Sequence, residues 1–134
     1  MGVRVRVLLD THVVLWLAGD ADKVPAAVRS AVAGAEERWV SSASAMEVAT
    51  KARLGKLPQG RRVIDAWSRI LAAFQAEELP LSAAHMAGAG ALPWEHRDPF
   101  DRMLVAQAQL EGLRLVTSDT RMLGFEDVST LEWR

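Results

Sequence analysis

The stretch from Val3 to Asp10 constrains the fold of this chain more than any other, because it has the pattern of a strand that ends on a carboxylate. Valine alternates with arginine at its start, and the run becomes fully apolar at Val7-Leu8-Leu9. A second apolar run begins at Val13, so the pattern predicts a strand, a carboxylate and then a helix. A strand that is apolar on both faces belongs inside a covered sheet, and α/β folds bind ligands at the carboxyl ends of such strands. Asp10 is therefore the first candidate for chemistry.

The rest of the chain alternates predicted helices with predicted strands. Helices are expected over Thr11 to Ala18, Pro25 to about Glu37, Ser42 or Ser44 to Leu54, Arg61 to Gln75, Ser82 to about Ala91, and Pro99 to Glu111. Strands are expected over Arg38 to Ser41, Glu78 to Leu81, Leu113 to Thr117 and, as a last edge strand, Val128 to Leu131. Loops are expected at Asp20 to Val24 and at Trp94 to Asp98, with Thr11 capping the first helix and Gly112 ending the last.

This alternation implies right-handed crossovers and a mainly parallel sheet. The predicted fold class is therefore a single-domain α/β/α sandwich over residues 1–134, with the strand order left open. The chain has 134 residues, half of them hydrophobic, which suits one domain with a real core.

Composition sets further limits on the kind of protein. The formal net charge of -1 excludes neither a nucleic acid nor a small molecule as a partner. There are no cysteines, which rules out disulfides and thiolate metal sites and fits a reducing compartment. Asp10 and His12 interrupt the first apolar run, and no other stretch has the length and apolarity of a membrane span. We therefore expect a soluble, cytoplasmic protein with no membrane partner.

Four carboxylates share a position in the predicted pattern. Asp10 and Asp119 follow apolar strands, whereas Glu47 and Asp101 lie in the opening turns of helices. In a parallel α/β sheet, strand ends and the starts of the following helices face one edge, so the four acids could converge on one cleft. Their mutual repulsion would raise their pKa values unless a hard divalent cation bound them. Magnesium or manganese is favoured over zinc, because cysteine is absent and the three histidines are scattered.

Four segments form a pattern that is specific when they are taken in this order. They are Leu8 to His12 (LLDTH), Val40 to Lys51 (VSSASAMEVATK), His96 to Ala108 (HRDPFDRMLVAQA) and Leu115 to Asp119 (LVTSD). At these separations they resemble the PIN domain nucleases, and within them the VapC-type toxins of bacterial toxin-antitoxin pairs. The resemblance covers nearly the whole chain. It implies metal-dependent endonucleolytic cleavage of RNA.

The resemblance also implies roles for individual residues. Asp10, Glu47, Asp101 and Asp119 match the family's metal-binding acids, with Mg²⁺ or Mn²⁺ as the expected cofactor. Asp98 is an additional acid, and which of Asp98 and Asp101 touches the metal is open. The implied partners are an RNA substrate, a small antitoxin protein whose tail would block the cleft, and a second copy in a homodimer. The acids would hold one or two ions that activate a water and stabilise the charge on the scissile phosphate.

Each candidate residue also has an ordinary structural explanation. Asp10 could simply cap or end a strand, and Glu47 points away from the apolar face of its helix, with Lys51 one turn later as an ion-pair partner. Asp98 is placed to cap the helix that begins at Pro99. The helix dipole stabilises a carboxylate at Asp101 with or without metal.

The residues beside the acids are expected to support them. Asp119 could be a turn residue that Thr117 or Ser118 orients, and Thr11 follows Asp10 directly. These three residues are the expected second layer around the acids. His85 and His96 are interpreted as structural or surface residues, and His12 stands where many relatives carry a small polar residue.

A basic segment offers a path for the substrate. The range from Thr50 to Arg69 contains six basic residues and one acid, a net charge of +5 in an otherwise negative chain. Such a segment beside an acidic site could hold phosphates. The candidates for RNA binding are Lys51, Arg53, Lys56, Arg61 and Arg62. The alternative is a solvated helix face opposite Trp67, which, like Trp16 and Phe74, is interpreted as a core or interface residue.

Rival functions fit the sequence less well. A phosphoaspartate enzyme of the haloacid dehalogenase type needs a second aspartate two residues after Asp10, where His12 stands. A receiver-like domain needs an acidic pair and a later lysine that the chain does not show. A non-toxin RNA-processing nuclease and a non-catalytic RNA-binding or regulatory module remain as alternatives.

Overall fold

A computed structural model of the chain, which describes residues 5–134, contains a sheet of four parallel strands. The strands are β1 (Arg6–Leu9), β2 (Glu37–Ser41), β3 (Glu77–Leu79) and β4 (Arg114–Val116). Their order is β3-β2-β1-β4, so the first strand lies inside the sheet with β2 and β4 on either side. The predicted α/β architecture with a parallel sheet is confirmed. The predicted start of the first strand, Val3 and Arg4, lies outside the described residues.

Helices cover both faces of this sheet. They are α1 (Thr11–Gly19), α2 (Ala26–Ala33), α3 (Ser42–Arg53), α4 (Gly60–Asp65), α5 (Trp67–Ala73), α6 (Ala83–Ala91), α7 (Pro99–Glu111) and α8 (Thr120–Leu123). A single 3-10 turn at Ala21–Lys23 falls in the loop predicted there. None of the helices formed by residues 5–134 combines the length and the apolarity that crossing a membrane requires.

Alternating side chains of β1 divide the core into two layers. Val7 and Leu9 pack on one face with apolar residues of α1, α2 and α5, whereas Leu8 packs on the other face with residues of α7 and β4. All three side chains are fully buried, and each such burial stabilises the fold by about 1.5–3 kcal/mol. Trp16 and Trp67 pack against the first layer, as predicted. The central strand is therefore fully buried from Val7 up to the residue before Asp10.

Two helix boundaries differ from the prediction because side chains near the boundary take other partners. Asp10, not Thr11, caps α1, since its carboxylate accepts the Thr11 N–H at 2.7 Å. Helix α2 ends at Ala33, before Glu37, because Glu37 pairs with Arg6 in the sheet. The Arg6 guanidinium also donates to the Glu37 carboxylate at 2.6 Å.

For the later helices, one predicted cap is wrong and one pair of predicted bounds is confirmed. Ser41, rather than Ser42 or Ser44, caps α3 by accepting the Ala43 N–H at 3.0 Å. The predicted bounds of α7 are confirmed, and Gly112 ends that helix with a φ of 66°, a conformation that glycine adopts without strain.

The continuous helix predicted from Arg61 to Gln75 is wrong, because α4 and α5 are two short helices. They meet at Ala66, whose N–H is shared between the carbonyl oxygens of Arg62 at 3.1 Å and Val63 at 3.2 Å. No glycine or proline marks the break. Trp67 and Ile70 of the second helix pack against the first core layer. Periodicity alone predicts one helix here.

Two short strands also differ from their predicted bounds. The third strand ends at Leu79 because Pro80 has no N–H to donate to a neighbouring strand. The predicted edge strand from Val128 to Leu131 is reduced to one bridge between Leu115 and Thr130. Helix α8, which follows Asp119, was not predicted.

Substitutions at two glycines, one at the close contact between α3 and α4 and one in an open position, should have opposite effects on stability. A Cβ at Gly60 would lie 2.8 Å from the Ala52 Cβ, whereas a Cβ at Gly90 would meet nothing within 4 Å. We expect Gly60→Ala to lower the free energy of unfolding by about 1–3 kcal/mol through overpacking. Gly90→Ala, within α6, should raise it by about 0.5–1 kcal/mol through helix propensity. Urea denaturation measures both, and a stabilising Gly60→Ala would contradict the α3–α4 contact.

Candidate metal centre

Asp10 directly follows the last residue of β1 and lies beside the end of β4. Two hydrogen bonds hold its carboxylate. Its Oδ1 accepts the Thr11 N–H at 2.7 Å, and its Oδ2 accepts the Thr117 hydroxyl at 2.8 Å. Its own N–H donates to the Val116 carbonyl at 2.9 Å, which continues the β1–β4 pairing. The residue is 4% exposed. The strand end therefore fixes both the position and the rotation of this acid.

Burial raises the pKa of Asp10 to about 7. The hydrogen bond from Thr117 lowers the pKa, whereas the negative charges of Asp101 and Glu47 raise it further. Carboxylates on β1, α3 and α7 therefore act on one another at this edge of the sheet. A bound cation would relieve both the burial and the repulsion.

Glu47 is buried, although the sequence places it opposite the apolar face of α3. That interpretation is wrong because the buried face contains Ala43, Ser44 and Val48 together with Glu47. The Ser44 hydroxyl is 2.7 Å from the Thr11 hydroxyl, which ties this face to α1. The predicted ion pair is present, with Lys51 Nζ 2.9 Å from Glu47 Oε2. The acid thus faces inward, and the lysine compensates its charge.

Asp98 and Asp101 are held together at the start of α7. Asp98 caps the helix, as predicted, by accepting the N–H groups of Phe100 at 2.9 Å and Asp101 at 3.2 Å with one oxygen. Asp101 is buried, and its Oδ2 lies 2.6 Å from His96 Nε2. Single ligand atoms of His96, Asp98 and Asp101 lie within 4.8 Å of one another, a spacing that suits one metal ion.

Burial also raises the pKa of Asp101. The hydrogen bond from His96 opposes this shift, whereas the charges of Asp98 and Asp119 add to it. Because Asp101 in turn raises the pKa of Asp10, electrostatic coupling reaches all the predicted acids.

Asp119 is the most exposed of the four expected metal ligands. It caps α8 by accepting the Arg121 N–H at 2.8 Å. Its own N–H donates to the Thr117 hydroxyl oxygen at 3.0 Å, while that hydroxyl donates to Asp10. Thr117 therefore connects two of the acids through hydrogen bonds. Ser118 is half-buried, and within residues 5–134 its side chain has no hydrogen-bond partner.

The predicted acids thus gather at one edge, but they do not form one tight group. Within residues 5–134, only His96, Asp98 and Asp101 meet the 4.8 Å spacing, and Asp10, Glu47 and Asp119 lie outside that group. A donor set of carboxylate oxygens fits Mg²⁺ or Mn²⁺.

Two residues of this site were missed by the sequence analysis. His96 was interpreted as structural or surface, although it contacts Asp101 directly. Arg102 was assigned no role, although its guanidinium clamps the loop that carries His96. It donates to the backbone carbonyls of Ala89 at 2.9 Å, Gly90 at 3.4 Å, Leu92 at 2.8 Å, Trp94 at 2.8 Å and His96 at 2.9 Å. Both residues lie within the HRDPFDRMLVAQA segment, and that membership is the signal in the sequence that could have indicated them.

The predicted basic segment runs from the end of α3 through the following loop and α4 into α5. Apart from Lys51, its expected RNA-binding residues are exposed, and within residues 5–134 they form no salt bridge; they are Arg53, Lys56, Arg61 and Arg62. Arg62 also lines a groove of about 700 Å³ with His12 and Lys23, over a floor that includes Trp16 and Ile70.

Comparison with known proteins identifies close parallels for the whole fold. Residues 7–130 match the model of a family described as PIN domain. The chain is 32% identical over 117 residues to Ribonuclease VapC22 of Mycobacterium tuberculosis, which covers 87% of this chain and 88% of the relative.

Solved structures of similar fold belong to toxin-antitoxin systems. A chain of VapBC2 from Rickettsia felis, bound to a DNA fragment from its promoter, aligns with a TM-score of 0.71 at 16% identity, covering 96% of this chain and 98% of that one. A chain of DNA-bound VapBC from Salmonella typhimurium aligns with a TM-score of 0.69 at 17% identity, covering 97% and 99%. At these identities the likeness is one of fold.

The raised pKa of Asp10 generates a prediction about stability and pH. Because the pKa in the folded chain lies above its ordinary value, ionised Asp10 destabilises the fold, and stability is lost as pH rises from about 4 to about 7. With EDTA present, Asp10→Asn should be more stable than the natural chain by about 1–3 kcal/mol at pH 8 and nearly equal to it at pH 4. Urea denaturation at several pH values measures the difference.

Asp22→Asn is the matched control, because Asp22 is exposed in the 3-10 turn. Its effect on the free energy of unfolding should be small and should not grow with pH. A difference between Asp10→Asn and the natural chain that stays constant from pH 4 to pH 8 would contradict the burial of a strained carboxylate.

Proposed function

Because this chain belongs to the PIN domain family, we propose that it is a metal-dependent endoribonuclease and the toxin of a toxin-antitoxin pair. The observation that carries the proposal is the gathering of carboxylates from separate segments at the carboxyl edge of β1 and β4, with Asp10 and Asp101 both buried. Such acids are costly to bury in any role that does not involve a cation. Similarity to a ribonuclease along most of both chains supports RNA as the substrate.

The proposed metal ligands are Asp10, Glu47, Asp101 and Asp119, with Asp98 as an additional acid and Mg²⁺ or Mn²⁺ as the cofactor. The bound ion would lower the pKa of a water and neutralise charge on the scissile phosphate. Both Asp98 and Asp101 use one oxygen in a hydrogen bond, to the helix N-terminus and to His96 respectively. Each can present its other oxygen to the ion.

The chain's own residues would orient the reacting groups. Thr11 and Thr117 hold both oxygens of Asp10, so the carboxylate cannot rotate away from the ion. The backbone of Asp119 is held through the same Thr117 hydroxyl. Orientation of this kind supports an in-line attack by water, which needs no covalent protein intermediate. Ser118, beside Asp119, is retained as part of the proposed supporting layer.

Lys51 and the neighbouring basic residues would hold the RNA backbone. Lys51 is bonded to Glu47, so its ammonium group is fixed next to the acids. Arg53, Lys56, Arg61 and Arg62 extend the positive surface away from that point. Exposed cations attract phosphates without selecting a base sequence.

We also propose that the chain binds a small antitoxin protein and forms a homodimer. The proposed location is the cytoplasm. The solved structures of similar fold include a toxin-antitoxin complex from Klebsiella pneumoniae, with a TM-score of 0.60, 21% identity and coverage of 92% of this chain and 96% of that one. The exposed apolar side chains of Met86 and Leu110 support a further contact surface.

The central test is RNA cleavage by the natural chain and by Asp10→Asn. We expect Asp10→Asn or added EDTA to reduce the cleavage rate at least about 100-fold, because the metal and its activated water would be lost. Excess Mg²⁺ should restore the EDTA-treated natural chain but not the variant. Denaturation confirms that the variant is folded, and Asp22→Asn serves as the control.

Brief expression in bacteria then separates a toxin from an RNA-processing relative. Growth arrest with the natural chain but not with Asp10→Asn would support the toxin, and sequencing the new RNA ends would locate the cuts. Undiminished metal-dependent cleavage by Asp10→Asn would refute the assignment of the site.

The basic surface generates a separate prediction for binding. In an Asp10→Asn background, the double change Arg61→Ala with Arg62→Ala should weaken single-stranded RNA binding and reduce the slope of log affinity against log salt by about 1.4, from two lost phosphate contacts. Arg114→Ala is the matched control, because Arg114 is exposed at the first residue of β4, on the opposite edge of the sheet. A loss in Arg114→Ala half as large as that in the double change would show that only net charge matters, because Arg114→Ala removes one charge and the double change removes two.

A further inference from the structure

His96 makes the shortest contact between a histidine and an acid in the described part of the chain. Its Nε2 lies 2.6 Å from Asp101 Oδ2, and only 9% of its side chain is exposed. A buried imidazole beside a buried carboxylate needs an explanation, because neither group is part of the apolar core.

The chemistry of the two groups decides which of them donates the hydrogen. An ionised carboxylate can only accept, so Nε2 carries the hydrogen and donates it to Asp101 Oδ2. That bond fixes one oxygen and leaves Oδ1 on the other side of the carboxylate. The Asp101 backbone is fixed as well, because its N–H donates to Asp98 Oδ1 at 3.2 Å. Asp101 is thereby oriented at both ends.

His96 is itself held at its backbone and at its ring. The His96 carbonyl accepts from Arg102 Nη1 at 2.9 Å, and Arg102 directly follows Asp101 in α7. The ring lies edge-on to Trp94, with centroids 4.8 Å apart, and Trp94 stacks in turn on Phe125 at 4.8 Å. Helix α7 therefore carries both the acid and the arginine that positions the acid's hydrogen-bond donor.

A second buried histidine shows what a purely structural pairing looks like in this chain. His85 Nδ1 accepts the Ser82 N–H at 3.0 Å, and Nε2 is 3.1 Å from Glu111, so both ring nitrogens stabilise α6 and its contact with α7. Among residues 5–134, His96 has no such capping bond, and the one hydrogen bond of its ring nitrogens is the bond to Asp101.

We propose that His96 is a positioning residue that orients the Asp101 carboxylate toward the metal ion. The inference rests on the proposed metal site, but not on RNA as the substrate. Direct ligation by His96 is the competing role, because its ring belongs to the group within 4.8 Å. The hydrogen bond favours positioning, since Nε2 would have to leave Asp101 before it could bind an ion.

The test measures Mn²⁺ affinity by the electron paramagnetic resonance signal of free Mn²⁺, without RNA. Loss of a hydrogen bond to a metal ligand commonly weakens binding 10–100-fold, so His96→Ala should weaken Mn²⁺ binding by about 10-fold or more. His96→Gln should remain within about 3-fold of the natural chain, because its amide N–H can replace Nε2–H. His85→Ala, the matched control, should lower stability without changing Mn²⁺ affinity.

Pulsed resonance on bound Mn²⁺ distinguishes the two roles of His96. Nitrogen coupling that is present in the natural chain and lost in His96→Ala would identify a direct ligand and overturn the proposal. Equal affinity in His96→Ala and the natural chain, equal losses in His96→Ala and His96→Gln, or an equal loss in His85→Ala would also overturn it. The expected Mn²⁺ pattern in a chain that cleaves no RNA would refute the proposed function and leave this inference standing.

Discussion

The hydrogen bond from Thr117 to Asp10 is the interaction on which the arrangement of the site depends. It joins the carboxyl ends of β1 and β4, and the same hydroxyl accepts the Asp119 N–H. The two strands bring these residues together although 107 positions separate them in the chain. Because β1 is buried on both faces, this edge cannot shift without disturbing the core. The buried central strand thus ends next to a carboxylate whose pKa is raised by burial.

The pKa values of Asp10 and Asp101 are each subject to opposing effects. Burial and neighbouring acids raise the pKa of Asp10 and of Asp101, whereas Thr117 and His96 each donate a hydrogen bond that favours the charged form. The hydrogen bonds keep the carboxylates oriented without cancelling their charge. A bound divalent cation would offset the repulsion between the carboxylates and the unfavourable free energy of burying them.

Much of this could be predicted from the sequence, because the strongest patterns reflect local chemistry. The apolar strand before Asp10, the proline start and glycine end of α7, and the parallel class of the sheet follow from periodicity and from capping residues. The break at Ala66 could not be predicted, since no glycine or proline marks it and the apolar periodicity continues across it. The inward orientation of Glu47 was also missed. Its helix has a polar buried face at Ser44 that hydrophobicity does not reveal.

The parts of the site that sequence patterns miss are those that hold the acids rather than the acids themselves. Carboxylates after strands are visible in a sequence because strand ends are visible. A donor such as His96 becomes visible only when a loop has folded back on its own helix, and here that requires Arg102 to bind carbonyl oxygens spread over eight residues. An arginine with this many backbone acceptors is committed to the loop and is not available to the substrate. The cations of the chain therefore divide into those whose donors are used within the fold, such as Arg102, and those that are exposed, such as Arg61 and Arg62, for which we propose phosphate binding. That division cannot be inferred from charge along the chain.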